Sequence, residues 1–523
     1  MVLLQLVIGL NGGHLVYTLD DTYIHLAIAK NLSQHGVWGV SQYGFSSASS
    51  SLLWTLLLAG CNIVFGVSEL TPLILNIIFS FGLVILIYVI LRRYIKNNLL
   101  VFGLLLLIIF AAPLPTLIFS GMEHILHIIL ALAFLWLAVN VLTDESLRKH
   151  EGWLLLLITP LLAAVRYEGL ILIAVIGVLF WFRRQRSFAV AIIILGLLPL
   201  TIFGLISTAH GWYFLPNSIL LKSNVLVWSP HLGNYHNIIL FFGTLLFSDH
   251  DIKLHLLCLM FLSLVIILYQ SFLPKNKSTQ AIIIYNFIFF LTAVLHLIFS
   301  RWGWFYRYEA YLLVMGLVVM VVSLVPVVKI LYRGSSKRKI ILDTIIYWLV
   351  AIIFISSIWR AAMSFVLTPI ATTNIYQQQY QMGLFVKRFY SGQAVAINDI
   401  GAVDYFSEPR PIDLLGLANM EAARLRLQNH DSAFQIDALT KKYQAKIAII
   451  YDSWFSNKDI NVLPRSWTKV GQWKILHNVV CGNDTVSFYA VSPTAEDELT
   501  NNLKGFARDL PSAVQQSGLY LQN

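Results

Sequence analysis

Charge is scarce in this chain. Only 12% of its 523 residues are Asp, Glu, Lys or Arg, against roughly 25% in a soluble domain. Hydrophobic residues make up 58%, and mean hydropathy is +0.73. Together these exclude a water-soluble globule and point to a polytopic membrane protein. Cysteine is scarce too. Cys61, Cys258 and Cys481 supply neither a disulfide framework nor metal-ligand spacing. Cys258 lies in an apolar run and reads as core. Cys61 and Cys481 could pair only if both faced the same side. There is no internal repeat and no long linker. The N-terminus lacks a basic n-region and a small-residue cleavage site, which argues against a signal peptide. Val2 to Val16 reads as a first span, shorter than the usual ~20 residues. The net charge of +10 raises nucleic acid as a partner. The placement of the cations follows membrane topology instead, so no nucleic-acid partner is expected.

Apolar segments recur at about 70–94, 99–119, 123–142, 152–165, 168–182, 187–208, 254–273, 280–300, 308–328 and 340–360. With the first, they predict about eleven transmembrane helices. An N-terminus inside makes loops 92–98, 143–151, 183–186, 274–279 and 329–339 cytoplasmic. Those loops carry fifteen Lys and Arg residues, whereas the outer loops carry six: Lys30, Arg166, Lys222, Lys253, Arg301 and Arg307. The excess of cations inside fixes the orientation. Segment 237–247 is only a half-span and reads as interfacial or re-entrant. From about 361 the composition turns polar. Strand-like runs at 394–399, 411–415, 447–451 and 486–491, with a helical stretch at 418–443, predict a mixed α/β domain over 361–523 on the outer side. The stretch 501–523 is polar and reads as loose. The expected architecture is an α-helical polytopic domain over 1–360, with a large first outer loop at 17–68, and a C-terminal extracytoplasmic α/β domain.

Five outer features hold charge where the topology depletes it. The first is Asp20-Asp21-Thr-Tyr-Ile-His25, followed by a helical stretch, expected to lie along the membrane surface, that Gly36 should stop. Asp20 or Asp21 can cap that helix. Asp21 and His25, four apart, share a face that suits a general base or a divalent cation. The others are Ser120-Gly-Met-Glu123, Arg166-Tyr-Glu168, His210-Gly-Trp-Tyr-Phe-Leu215-Pro216-Asn217-Ser-Ile-Leu-Leu-Lys222, and Arg301-Trp-Gly-Trp-Phe-Tyr-Arg307-Tyr-Glu309. An aromatic belt with snorkelling side chains accounts for the Trp and Tyr. It accounts less well for the charges, which are functional candidates by default. Arg and Lys at an outer surface suit a phosphate, and carboxylates opposite them suit acid–base work on a hydroxyl.

In their order these motifs resemble the GT-C class of integral-membrane glycosyltransferases, which use polyprenyl-phosphate sugars. Asp20-Asp21-Thr-Tyr-Ile is similar to the first-loop acidic motif of the branch containing the mycobacterial terminal arabinofuranosyltransferase. Ser47-Ala-Ser-Ser-Ser-Leu-Leu-Trp54 is similar to its Gly-x-Thr-Ser-Pro-Leu-Trp element, without the Pro. Arg166-Tyr-Glu168-Gly169 stands where Arg-Pro-Glu/Asp-Gly is usual. Asn398-Asp399-Ile-Gly-Ala and Asp413-Leu-Leu-Gly-Leu417 complete the set. The resemblance implies a bacterial cytoplasmic (inner) membrane enzyme, working on the outer face on a glycan or lipid acceptor. It implies an Asp general base, here Asp21 with Asp20 as orienter or metal ligand, the order within the pair being open. Arg166, Lys222, Arg301 and Arg307 would hold the donor phosphate. His25, Glu123, Glu168 and Asn217 would support them, and Asp399 and Asp413 would meet the acceptor unless they merely end strands. No cofactor is implied with certainty; a divalent cation is an option without a defined ligand set. A flippase of lipid-linked sugars, or a non-catalytic envelope assembly protein, would carry similar charges.

Overall fold

The computed structural model describes residues 2–144, 148–222, 250–271, 276–331, 337–428, 432–456 and 462–522. Segment 237–247, the expected half-span, lies outside the described residues. The membrane region opens with α1 (Val2–Leu10), α2 (Asp21–His35) and α3 (Leu52–Phe65). It continues with α4 (Thr71–Tyr94), α5 (Asn98–Ala111), the short α6 (Leu114–Phe119), α7 (His124–Thr143), α8 (Arg148–Val165) and α9 (Gly169–Phe182). Then come α10 (Arg186–Ala209), α11 (Asn217–Lys222), α12 (His250–Ser271), α13 (Lys277–Phe299), α14 (Ala310–Leu331) and α15 (Lys337–Ile375). Six helices among the described residues are long and apolar enough to cross a membrane, and five shorter ones are apolar. Their outward faces carry large apolar side chains such as Phe81, Phe102, Trp181 and Trp348, as a lipid-facing surface requires. The chain is a multi-pass membrane protein.

Three expectations about this region need correction. α1 stops at Leu10, where Asn11–Gly13 turn the chain; nine residues rise only about 14 Å, too little for a span. Within the expected outer loop 17–68, α3 is a continuous apolar helix. The boundary read at 361 falls inside α15, which runs on to Ile375 and through a π-helical turn at Tyr376–Tyr380 into α16 (Gln381–Phe389).

The C-terminal domain holds β1 (Ala394–Ile397), α17 (Gly401–Ser407), β2 (Arg410–Asp413), α18 (Met420–Leu427), α19 (Ala433–Lys442), β3 (Ile447–Ile450), β4 (Thr468–Lys474), β5 (Thr485–Ala490), α20 (Glu496–Phe506) and β6 (Gln515–Gly518). These strands form one sheet in the order β2-β1-β3-β5-β4-β6. The first three are parallel; the rest are antiparallel. β4 and β6 have no clear apolar alternation and escape a sequence reading. The stretch expected to be loose is ordered: Leu499, Leu503 and Phe506 recur at helical spacing and are buried against the sheet.

α2 joins the two parts. Ile24 and Ile28 belong to the apolar core of the C-terminal domain, together with Phe385, Val395 and Ile397. Tyr23, Leu26 and Ala27 face the other way, onto Trp54, Leu58 and Ala371 of the membrane region. A helix expected to lie along a surface is therefore packed on both faces. It ends at Gly36 (φ 68°), whose N–H donates to the carbonyls of Asn31 and Leu32.

Candidate active site

Asp20 does not cap α2. Its backbone is helical and its side chain makes no bond to that helix's N-terminus. Instead its Oδ2 accepts from Gly401 N at 2.7 Å and its Oδ1 from Ala402 N at 2.8 Å. It thus caps α17 of the other domain. A Cβ at Gly401 would overlap the Asp20 carboxylate, which explains the glycine of the Asn398-Asp399-Ile-Gly-Ala motif. Asp399 lies beside it and accepts from Gln379 Nε2 at 2.9 Å and from Tyr451 Oη at 3.2 Å. Burial, then the charge of Asp399, pushes the Asp20 carboxyl well above the usual carboxylate range. Burial raises Asp399 as well. Two neighbouring carboxyls in one buried seam favour a single proton held between them.

Asp21, the next residue, points away from that seam. Its Oδ2 accepts from Arg307 Nη2 at 2.5 Å, and a quarter of its side chain is exposed. Arg307 is 3% exposed; its Nη1 meets Met122 Sδ at 2.8 Å, its Nη2 also donates to Tyr308 Oη, and its Nε has no partner among the described residues. Thr22, the residue following Asp21, donates to Ser120 O. Gly121 (φ 64°) is obligatory there, because a Cβ would overlap Tyr17 and Thr22. His25 turns to α3, with Nδ1 3.0 Å from Thr55 Oγ1 and Nε2 3.2 Å from Ser50 Oγ. Both ring nitrogens are engaged, so the cation considered for the Asp21–His25 face has no imidazole ligand. Among the described residues no group of three or more His, Cys, Asp or Glu is placed to hold a metal ion.

The remaining motifs converge on the same place. Glu123 is fully buried and accepts from Arg166 Nη1 at 2.6 Å, while Arg166 grips Glu168 through Nη2 at 2.7 Å and Nε at 3.0 Å. Two carboxylates therefore already offset the Arg166 charge, so the guanidinium expected to hold phosphate serves as an internal tie. Arg301 is exposed and makes no side-chain hydrogen bond or ion pair among the described residues. Lys222 ends α11, and its side chain lies outside the described part. Asn217 supports the site by linkage: its Nδ2 donates to Gly416 O at 2.7 Å, and its N–H to Ser47 Oγ. Asp413, considered as an acceptor contact, is spent on its own loop, accepting from Leu415 N and Ala418 N. Cys61 and Cys481 are both free thiols.

Two cavities meet at this cluster. One, of about 620 Å³, lies under the C-terminal domain and is lined by Asp20, Asp21, Gln379, Asn398, Asp399 and three indoles. The other, of about 400 Å³, opens between membrane helices and is walled by Leu170, Ile171, Leu200, Ile219 and Phe299. Asp21, Arg301, Arg307 and Tyr308 line both. The Tyr308 ring lies between two guanidiniums, with Arg307 4.7 Å and Arg166 5.5 Å from its centre.

Sequence reasoning placed Glu309 in the fifth outer feature without a role, and missed Arg360. Glu309 Oε2 accepts from Gly303 N at 3.0 Å and Oε1 from Arg360 Nη2 at 2.9 Å, both side chains being buried. An arginine in the middle of an apolar span was the available signal.

Residues 373–489 match a family described as "Domain of unknown function (DUF8728)". A comparison with curated protein sequences finds no match. Among solved structures, the chain is similar to ArnT from Cupriavidus metallidurans bound to undecaprenyl phosphate, with TM-score 0.50 and 11% identity over 94% of this chain and 97% of that one. The apo state of ArnT gives 0.51 and 12% over the same shares. An oligosaccharyltransferase from Archaeoglobus fulgidus, complexed with Zn and sulfate, gives 0.44 and 12% over 99% of this chain and 75% of that one. At these identities the likeness is one of fold: the chain has an ArnT-like GT-C membrane fold with a C-terminal mixed sheet.

Proposed function

We propose that the protein is a membrane glycosyltransferase that moves a sugar from a polyprenyl-phosphate donor to an envelope acceptor. The observation that carries this reading is the shared wall of the two cavities. An apolar cavity between membrane helices suits a polyprenyl chain, and the polar cavity beyond suits a hydroxyl-bearing acceptor. Between them stand one partly open carboxylate, Asp21, and two cations, Arg301 and Arg307. ArnT, which shares the fold, binds undecaprenyl phosphate.

In this reading Asp21 is the general base and takes the proton of the acceptor hydroxyl. The acceptor oxygen forms a bond to the anomeric carbon as the bond from that carbon to the phosphate oxygen breaks. The electron pair leaves with polyprenyl phosphate, and Arg301 and Arg307 offset its growing charge. A single displacement inverts the anomeric centre. Asp20 serves as an anchor, because both its oxygens already accept backbone N–H groups. The bias of cations toward the other loops supports an extracytoplasmic site, in the cytoplasmic membrane of a bacterium. Membership of the arabinofuranosyltransferase branch, and with it pentosyl rather than hexosyl transfer, rests on the motifs of the first loop.

Asp21→Asn tests the assignment. Asn keeps an oxygen for Arg307 but cannot act as a base, so turnover should fall about 10²–10⁴-fold while undecaprenyl phosphate still binds. Unchanged transfer in this variant would remove Asp21 from the mechanism. Loss of lipid binding with no transfer in the unmodified protein would remove the enzyme reading itself.

A further inference from the structure

We infer that the cavity of about 620 Å³ is an acceptor subsite built for the end of an uncharged glycan chain. The inference rests on the reading above and names the acceptor class of that same site.

Four observations converge. First, the polar wall carries an unused donor. Asn398 is 3% exposed and lines the cavity. Its Oδ1 accepts from Tyr451 N at 3.2 Å, but its buried Nδ2 has no partner among the described residues. A buried amide donor left open at a cavity wall calls for a ligand oxygen. Second, indoles from two different parts of the chain line the same space. Trp304 comes from the loop before α14 and is half exposed; Trp454 comes from the turn after β3 and is 38% exposed. A membrane aromatic belt could account for Trp304. It does not account for Trp454, which sits in the C-terminal domain beside the sheet. Third, Trp454 is fixed in place. Its Nε1 donates to Gly482 O at 3.3 Å, its ring lies 5.3 Å from that of Tyr451, and a Cβ at Gly482 would overlap it. A rigid, partly open indole is a ready stacking platform. Fourth, the lining sets three carboxyls, Asp20, Asp21 and Asp399, against two guanidiniums, Arg301 and Arg307, which the reading above assigns to the donor phosphate, so no lining cation is left for a phosphorylated acceptor.

A sugar ring answers all four features. Its apolar C–H face stacks on an indole while its hydroxyls reach Asn398, Asp399 and Gln379. A lipid acceptor would fit the other, apolar cavity better. The volume lies well within the range of about 300–1,000 Å³ typical of sites that enclose whole ligands, so more than one sugar unit has room.

The test uses the full chain in lipid nanodiscs and saturation-transfer NMR with uncharged hexose and pentose tri- and tetrasaccharides. At least one should bind, with and without undecaprenyl phosphate preloaded. Trp454→Ala should weaken that binding about tenfold or more, and Trp454→Phe should weaken it less. Gly482→Ala, which displaces the ring without removing it, should mimic Trp454→Ala. Asn398→Asp keeps the acceptor for Tyr451 N but loses the open donor, and should also bind less. Oligosaccharide binding that ignores all four substitutions, or binding to none of the panel, overturns the inference. So does a lipid-headgroup probe, presented in phospholipid vesicles, whose binding falls in the Trp454 variants while no oligosaccharide's does. Undecaprenyl phosphate binding is measured in parallel; its loss alone refutes the donor assignment and leaves the glycan subsite standing.

Discussion

At the scale of single residues, two adjacent carboxylates have been given different work by the direction in which each points. Asp20 faces the C-terminal domain and satisfies two N–H groups of α17. Asp21 faces the cavities and pairs with Arg307. An Asn at position 20 has one oxygen and one NH₂, so one of those two backbone donors would meet another donor. An unsatisfied buried donor costs about 1–3 kcal/mol. Asp20→Asn should therefore lower the thermal midpoint of the detergent-solubilised protein and reduce turnover as a consequence. Asp21→Asn should reduce turnover with little change in midpoint. The reverse pattern, a stable Asp20 variant that is inactive, would make Asp20 the base. The acidic pair was legible in the sequence as a site, because carboxylates are rare in this chain and these two adjoin an apolar run. Which of them points where was not, because that depends on Gly401, some 380 positions away.

At the scale of elements, the segment between α13 and α14 is the most constrained piece of backbone near the site. Gly303, Trp304, Phe305 and Tyr306 all have positive φ, at 81°, 46°, 55° and 67°. Left-handed backbone costs roughly 1–2 kcal/mol for each non-glycine residue, and three such residues follow one another. Glu309 and Arg360 hold the turn: Glu309 takes the Gly303 N–H, and Arg360 Nη2 lies 3.4 Å from Tyr306 O with its guanidinium 4.7 Å from the Tyr306 ring. This turn delivers Arg301 and Trp304 at one end and Arg307 at the other. Arg360 is a positioning residue. Breaking a buried ion pair costs about 3–5 kcal/mol, so Arg360→Met should lower stability and also weaken undecaprenyl phosphate binding, the role proposed above for Arg301 and Arg307. Arg360→Lys, which keeps the charge, should restore more stability than binding, because a single ammonium cannot reach Glu309 and the Tyr306 carbonyl in the same fork. Equal recovery of both would reduce Arg360 to a structural tie. Most long helices could be read from their apolar runs. This turn could not, since Trp-Phe-Tyr reads as interfacial anchoring and nothing in its composition signals a left-handed path. α3 was misplaced for the opposite reason: an apolar stretch of 14 residues is too short to be told from loop-bound hydrophobics by length alone.

At the scale of the whole molecule, the site exists only where the two parts of the chain meet. α2 lends Ile24 and Ile28 to the core of the C-terminal domain, and that domain lends Asp399, Asn398 and Trp454 to the cavity. The carboxyl pair Asp20–Asp399 sits on this seam, and its protonation couples docking to pH. Burial raises both folded-state values, with the charge of Asp399 adding to the rise at Asp20 and that of Asp21 to the rise at Asp399, above the unfolded value of about 3.9. A raised carboxyl binds its proton more tightly in the folded state. The stabilisation is thus complete below the unfolded value and is lost as pH rises through the folded one. The unmodified protein should show a thermal midpoint that falls as pH rises above the unfolded carboxyl value and through the raised folded ones. Asp399→Asn replaces one carboxyl with a neutral group that still accepts from Gln379 and donates to Asp20. It should flatten this slope and raise stability most at the alkaline end, where the native pair would otherwise approach two charges. The difference between the two slopes isolates the pair from histidines that titrate in the same window. An identical slope in the variant would mean that the seam carries no shared proton, and that Asp20 and Asp399 are joined only through the backbone of Gly401 and Ala402.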